Sequence, residues 1–244
     1  MLWYAVICCP IKLYSSRKIV SIIMCGRFAL PTFEGLASHF RLQSAPALAP
    51  RYNITPGTDI AVVRLISDAH DRELVLLRWG LVPYWAKDKK IGCKLVNARA
   101  ESVADKPAFR DAFRQRRCLI PALGFYEWLA KARQPYFVRL KESGILAFAG
   151  LWDRWRGENN ETIESCAIIT TGANLMVGRI HDRMPAIIEP AHYDRWLDQK
   201  SDRASLPALL KPFPDSKMVV YPVGMGVNNP KNDSPDCLAG IKDN

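Results

Sequence analysis

Arg116-Arg117-Cys118-Leu119-Ile120-Pro121 and, after Ala122-Leu123, Gly124-Phe125-Tyr126-Glu127-Trp128-Leu129 decide the fold. Both are short apolar runs bounded by Pro or Gly, and no helical stretch separates them, so they read as successive strands. Residues 136–140 alternate apolar and polar, and residues 146–155 form a further strand ending at the polar turn Gly157-Glu158-Asn159-Asn160. Towards the N terminus, residues 60–66 and 73–79 read as two strands joined by the polar turn at 67–71. Towards the C terminus, residues 165–171 form a buried strand and residues 218–223 a last one.

Helices are short by comparison. Residues 32–40 put Phe33, Leu36, Ala37 and Phe40 on one face. Residues 107–114 and 190–197 each begin with Pro in the first turn, and 173–178 is a short helical piece. The remaining segments read as loops. Arg51-Tyr52-Asn53-Ile54-Thr55-Pro56-Gly57 is turn-rich, and Asn228-Asn229-Pro230-Lys231-Asn232-Asp233 is polar. Trp79-Gly80-Leu81-Val82-Pro83-Tyr84-Trp85 is interrupted by Gly and Pro and is expected to expose aromatics. Strands dominate without βαβ alternation, internal repeat or low-complexity linker. The expected class is α+β: a single domain with a mixed or antiparallel, barrel-like β core and short peripheral helices.

The chain has 244 residues, enough for a sizeable core, with 49% apolar and 24% charged residues. Its net charge is +10; Lys12, Arg17 and Lys18 supply three of those charges in the first 23 residues, leaving +7 for the rest. A basic domain is compatible with a polyanionic partner such as nucleic acid, and equally with an ordinary basic surface. The seven cysteines, Cys8, Cys9, Cys25, Cys93, Cys118, Cys166 and Cys237, are odd in number and form no CxxC pair. That argues against a disulfide framework and a structural zinc site and fits a reducing compartment. Cys118 and Cys166 lie in apolar runs and are expected in the core.

Residues 1–10 are apolar but too short to span a bilayer, lack a basic n-region and precede no small-x-small cleavage site. No membrane association is expected. Residues 1–23 are expected to be an extension absent from the native protein or removed from it, with the domain running over 24–244; an extra strand using Val20-Ser21-Ile22-Ile23 is the alternative. There is no phosphate-cradling Gly-rich loop, no GxSxG and no HExxH.

Met24-Cys25-Gly26-Arg27-Phe28 carries unusual chemistry. Removal of Met24 leaves Cys25 with a free α-amine and a thiol on adjacent carbons. That pair condenses with an aldehyde, first as an imine and then as a five-membered ring when the thiol adds. An α-amine has a pKa of about 7.7–8.0, so a useful fraction is neutral near pH 7. Glu127 is flanked by Phe125, Tyr126 and Trp128. It is either on a solvated strand face or a desolvated acid with a raised pKa suited to proton transfer. His181, in Arg179-Ile180-His181-Asp182-Arg183-Met184-Pro185, is either a satisfied structural residue or an acid/base group. Asn97 with Arg99 suits a sugar or phosphate contact, or a turn; Trp79 and Trp85 suit a stacking platform, or packing.

Eight segments in this order closely resemble the SOS-response-associated peptidase (SRAP) family of abasic-site-processing proteins. They are Met-Cys-Gly-Arg-Phe from Met24, Arg-Tyr-Asn-Ile-Thr-Pro-Gly from Arg51, Trp-Gly-Leu-Val-Pro from Trp79, Asn-Ala-Arg-Ala-Glu from Asn97, Arg-Arg-Cys-Leu-Ile-Pro from Arg116, Gly-Phe-Tyr-Glu-Trp from Gly124, Ile-His-Asp-Arg-Met-Pro from Ile180 and Val-Asn-Asn-Pro-Lys-Asn-Asp from Val227. The resemblance implies that Cys25, exposed by autoproteolytic removal of Met24, cross-links to the ring-opened aldehyde of an abasic site in single-stranded DNA as a thiazolidine, shielding the lesion. It implies a proton shuttle at Glu127, a sugar-side His181 assisting ring opening, β-elimination or reversal, and an orienting Asn97. Arg27, Asn53, Arg99 and Arg183 are implied DNA contacts, with Trp79 and Trp85 for stacking. The family implies no metal or organic cofactor, a monomer, and a cytoplasmic protein in a bacterium or a nuclear one in a eukaryote.

Two positions depart from the family pattern. The family's Cys stands at position two, whereas 23 residues precede Met24 here. Ala86 follows Trp85 where some relatives carry a second aromatic. The competing readings are a cysteine amidase or peptidase acting through Cys25, and a non-covalent single-stranded nucleic-acid binder.

Overall fold

The computed structural model describes residues 25–30, 35–46, 48–66, 71–130 and 132–241. Met24 and residues 1–23, the front of the helix expected at 32–40 and most of the turn expected at 67–71 lie outside them. In chain order the strands are β1 (Phe28–Leu30), β2 (Arg51–Ile54), β3 (Asp59–Leu65), β4 (Arg72–Trp79), β5 (Asn97–Arg99), β6 (Arg117–Ala122), β7 (Gly124–Leu129), β8 (Gln134–Leu140), β9 (Leu146–Arg156), β10 (Thr162–Gly172), β11 (Arg183–Pro185) and β12 (Met218–Pro222). The helices are α1 (Leu36–Phe40), α2 (Arg110–Gln115) and α3 (Tyr193–Leu197), with short 3-10 turns between elements.

β10, β4, β3, β6 and β9 pair in that order, and β9 pairs back onto β10. The sheet is therefore a closed barrel with one parallel contact, β10 on β4, and four antiparallel ones. Closure removes sheet edges and buries every residue of β6. Beyond Ile168, β5 succeeds β4 on the parallel side of β10, and β11 succeeds β9 on the other. The class is α+β with a mixed barrel core and few helices, as expected.

A second sheet, ordered β12-β8-β7-β1-β2, packs on the barrel. Side chains alternate along β7. Phe125 faces the barrel, edge-on to Phe148 of β9 at 6.1 Å, and Glu127 and Leu129 follow on that face. Tyr126 and Trp128 point the other way, where Phe137, Tyr221 and the C-terminal residues Val223, Val227 and Cys237 cover them. Cys118 and Cys166 are fully buried in the barrel. Among the described residues no helix is long and apolar enough to cross a membrane.

Three expectations are corrected. Residues 51–54 are strand rather than loop, because β2 finds β1 as partner, Phe28 opposite Ile54. The helical piece at 173–178 is only a 3-10 turn at Val177–Arg179. The helix expected from 107 starts at Arg110, after the Phe109 backbone adopts a non-helical conformation.

Candidate active site

β1 and β7 lie side by side, Phe28 opposite Phe125, and this pairing brings the residue two places before Arg27 to Glu127. The backbone N–H of Cys25 donates to Glu127 Oε1 at 2.9 Å. Both residues are buried, 2% and 1% exposed. Burial pushes the Glu127 carboxyl up to about 7; the hydrogen bonds from Cys25 work against that rise, and the nearby Asp182 charge adds to it. Burial likewise pushes the Cys25 thiol up, helped by the Glu127 charge and hydrogen bond, with Arg183 acting in the opposite direction. The Cys25 backbone is left-handed, φ 48°, a conformation that costs a non-glycine residue about 1–2 kcal/mol.

His181 and Asp182 lie in the turn before β11 and Arg183 begins that strand; the charge of Arg183 acts on Cys25 and that of Asp182 on Glu127. The amides of Ile180 and His181 both donate to the Val177 carbonyl, at 2.8 and 3.0 Å, which fixes the backbone of this turn. His181 Nδ1 accepts from the Arg183 N–H at 3.1 Å and lies 3.1 Å from Asp182 Oδ1. The two contacts suit opposite states of the ring. Neutral imidazole with its proton on Nε2 takes the amide, and imidazolium gives its Nδ1 proton to Asp182.

Arg183 is clamped. Nη1 and Nη2 donate to the two oxygens of Glu101 at 2.6 and 2.9 Å, and Nη2 also donates to the Thr170 carbonyl at 2.6 Å. The Arg183 guanidinium holds Glu101 below the usual carboxylate range. In the free protein the fork expected for a DNA phosphate holds the Glu101 carboxylate, and the Arg183 charge acts on the Cys25 thiol. Asn97 and Arg99 sit on β5 opposite Ile168 and Thr170. Asn97 is half-buried and Arg99 exposed.

Arg27 Nη1 donates to Asn53 Oδ1 and to the Val227 carbonyl, both at 2.7 Å, and its guanidinium lies over the Trp128 ring at 5.6 Å. Asn53, expected at the DNA, is 1% exposed. Its Nδ2 donates to the carbonyls of Val227, Asn229 and Asn232 at 3.1, 3.1 and 2.7 Å. Every polar group of its side chain is committed inside the protein, so Asn53 pins the loop at 227–233 and is not a DNA contact. Asp233 completes the clasp, accepting from the amides of Tyr52 and Asn53 and from Arg51 Nε.

Trp79 is corrected too. It is fully buried, donates to the Val96 carbonyl at 2.9 Å and packs edge-on against Phe28 at 5.3 Å, so no base can stack on it. Trp85 is 47% exposed, and the aromatic beside it is Tyr84 at 53%. The sequence reading missed Tyr84, Glu101, Trp128, Asp182 and Asp233, although Glu101, Trp128 and Asp233 each close one of the segments.

The SOS response associated peptidase (SRAP) model matches residues 24–230. The abasic site processing protein YoqW of Bacillus subtilis is 41% identical over 223 residues, covering 88% of this chain and 99% of that protein. The abasic site processing protein HMCES of Mus musculus is 32% identical over 229 residues, covering 78% of this chain and 65% of that protein. A crystal structure of a protein from Bacteroides thetaiotaomicron superposes with a TM-score of 0.80 at 26% identity, over 89% of this chain and all of that one. Family match, relatives and fold agree with the geometry around Cys25: the chain belongs to the SOS response associated peptidase family.

Proposed function

We propose that the protein senses abasic sites in single-stranded DNA and holds them as a covalent thiazolidine on Cys25, after hydrolysis of the Met24–Cys25 bond. The observation that carries this is the 2.9 Å hydrogen bond from the Cys25 nitrogen to a buried Glu127 whose pKa is about 7. A group half-protonated at neutral pH can give a proton to the leaving nitrogen of Cys25 and later take one from the resulting amine.

Water adds across the Met24–Cys25 bond and yields a methionine carboxylate and the Cys25 α-amine. The amine attacks C1′ of the open-chain sugar, giving a carbinolamine. Glu127 protonates its hydroxyl, which leaves as water, and an imine forms. The Cys25 thiol then adds to the imine carbon while its proton passes, through Glu127, to the nitrogen, closing the ring. His181, with Nε2–H as donor, suits ring opening of the sugar. Carried instead to loss of the 3′ phosphate, the same imine gives lyase-like strand cleavage, which ring closure pre-empts. Arg183 favours the neutral amine and the thiolate by its charge. Arg99 and the exposed Tyr84–Trp85 pair suit a single strand, whose phosphates supply affinity and whose bases stack. The protein works as a monomer, in whichever compartment holds the DNA.

The test is a denaturing gel with single-stranded DNA carrying one abasic site, using protein started at Met1 and protein started at Met24, with intact masses measured first. Adducts are expected only from molecules whose mass begins at Cys25. Cys25→Ala is expected to form none while binding DNA within severalfold of the native protein. Adducts from Cys25→Ala would overturn the mechanism, and peptide turnover without DNA would favour the amidase reading.

A further inference from the structure

A cleft of about 590 Å³ adjoins the reacting pair without including it. One wall is the second sheet, on the face that carries Glu127. Tyr136 is the cross-strand partner of Glu127, Leu129 lies two residues along β7, and Val220 and Met218 continue the same face through β12, opposite Val138 and Leu140. The other wall is the turn leading into His181, with Met176 and Ile180 facing the cleft. Asn174 ties the walls together: its Oδ1 accepts from the Val177 amide at 2.9 Å, and its Nδ2 donates to Met218 Sδ at 3.4 Å. The walls are apolar, and the exposed cations Lys141 and Arg179 also line the cleft, against one acid, Asp215.

We propose that this cleft binds the nucleotide next to the abasic sugar, its base against the apolar walls and its phosphodiester on Lys141 and Arg179. The inference rests on the abasic-site reading above and deepens it. The volume lies within the usual range for a ligand pocket. A flat apolar face with cations beside it is the chemistry of a nucleobase joined to a phosphate, whereas an apolar peptide side chain would leave both cations unused. The cleft borders Glu127 through Leu129 and Tyr136 and borders His181 through Ile180, and it includes neither reacting residue. It therefore holds the neighbour on one side of the lesion only, and the lesion's polarity in the strand becomes a specificity determinant.

The experiment measures adduct formation on three oligonucleotides, with the lesion central, at the 5′ end, or at the 3′ end. Native protein is compared with Met176→Trp, which fills the cleft, and with the double variant K141E/R179E, whose positions are exposed and outside the catalytic set. Both variants are expected to lose roughly 5- to 100-fold in adduct formation at subsaturating protein on the central lesion and on one terminal lesion, and to match the native protein on the other. Equal rates for native and variant proteins on all three substrates, or equal losses on both terminal ones, overturn the inference while leaving the abasic-site reading intact. Loss of Met24 removal alone, with adduct rates unchanged on protein already begun at Cys25, assigns the cleft to the leaving peptide and also overturns it. Absence of adducts from the native protein on every substrate overturns the reading and the inference together.

Discussion

Glu127 combines catalytic readiness with a cost to the fold. Its carboxyl is held at about 7 by burial, against about 4.3 in an unfolded chain. Below pH 4 the group is neutral in both states and its burial carries no charge penalty. Between about pH 4.5 and 7 the unfolded chain releases its proton first, so stability falls as pH rises; above 7 the loss is complete, at about 4 kcal/mol. Glu127→Gln keeps an oxygen to accept from the Cys25 N–H but cannot ionise. Its Tm is expected to exceed the native value by several degrees at pH 8, with the gap closing toward pH 4. Calorimetry showing no gap at pH 8 would falsify the assignment of this burial cost to Glu127. The same variant is expected to slow adduct formation roughly 10²- to 10⁴-fold. Cys25 and Glu127 were legible as chemistry because a thiol beside a potential α-amine and an acid among aromatics are unusual pairings. Asn53 and Trp79 were misread because a polar or aromatic residue in a quoted segment does not reveal which way its side chain faces.

At the scale of elements, the loop at 80–96 presents the exposed aromatics. Gly80 N–H donates to the Cys166 carbonyl at 2.8 Å, Val82 N–H to Ser165 Oγ at 2.8 Å and Tyr84 N–H to Asp153 Oδ2 at 3.1 Å. The loop returns so closely that a Cβ on Gly92 would stand 2.6 Å from the Gly80 carbonyl oxygen, and one on Gly80, at φ 135°, 2.8 Å from that of Gly92. Both clashes are with backbone, which cannot swing aside. Gly92→Ala is therefore expected to lower Tm by several degrees and to weaken single-stranded DNA binding together with it. Trp85→Ala is expected to weaken binding roughly 5- to 100-fold with Tm unchanged. If Gly92→Ala lowers Tm and leaves binding at the native value, this loop does not present the DNA contact. The long barrel strands were legible because five or more alternating or apolar residues show a period. β1, β2, β5 and β11, of three or four residues each, span at most two periods of alternation. They are strands only because partners from distant parts of the chain pair with them, and they hold or adjoin Cys25, Asn53, Asn97 and Arg183.

For the whole molecule, strand content was readable but closure was not. The parallel seam joins Ser165 to Arg78, and the clasp over β2 joins Asn53 to Asp233, pairings that no local pattern encodes. Charge is the global property that the sequence states directly: 34 Lys and Arg against 24 Asp and Glu. Much of it is spent internally. Arg64 pairs with Glu73 and Glu164, Arg72 with Asp194, and Arg183 with Glu101. The cations left for a strand are those at exposed positions such as Arg99, Lys141 and Arg179. Contacts from such cations to about four phosphates give a log–log slope of affinity against salt near −3 on a single strand. Non-covalent binding to an undamaged oligonucleotide is therefore expected to weaken steeply between 50 and 200 mM salt. Covalent capture behaves differently, because Cys25 and Glu127 are buried and salt screens buried pairs poorly. The adduct rate at saturating protein is expected to change less than about threefold over the same range. A saturated rate that falls in parallel with affinity would mean that surface charge acts in the chemical step, and the division of labour between an exposed docking surface and a buried reacting pair would have to be abandoned.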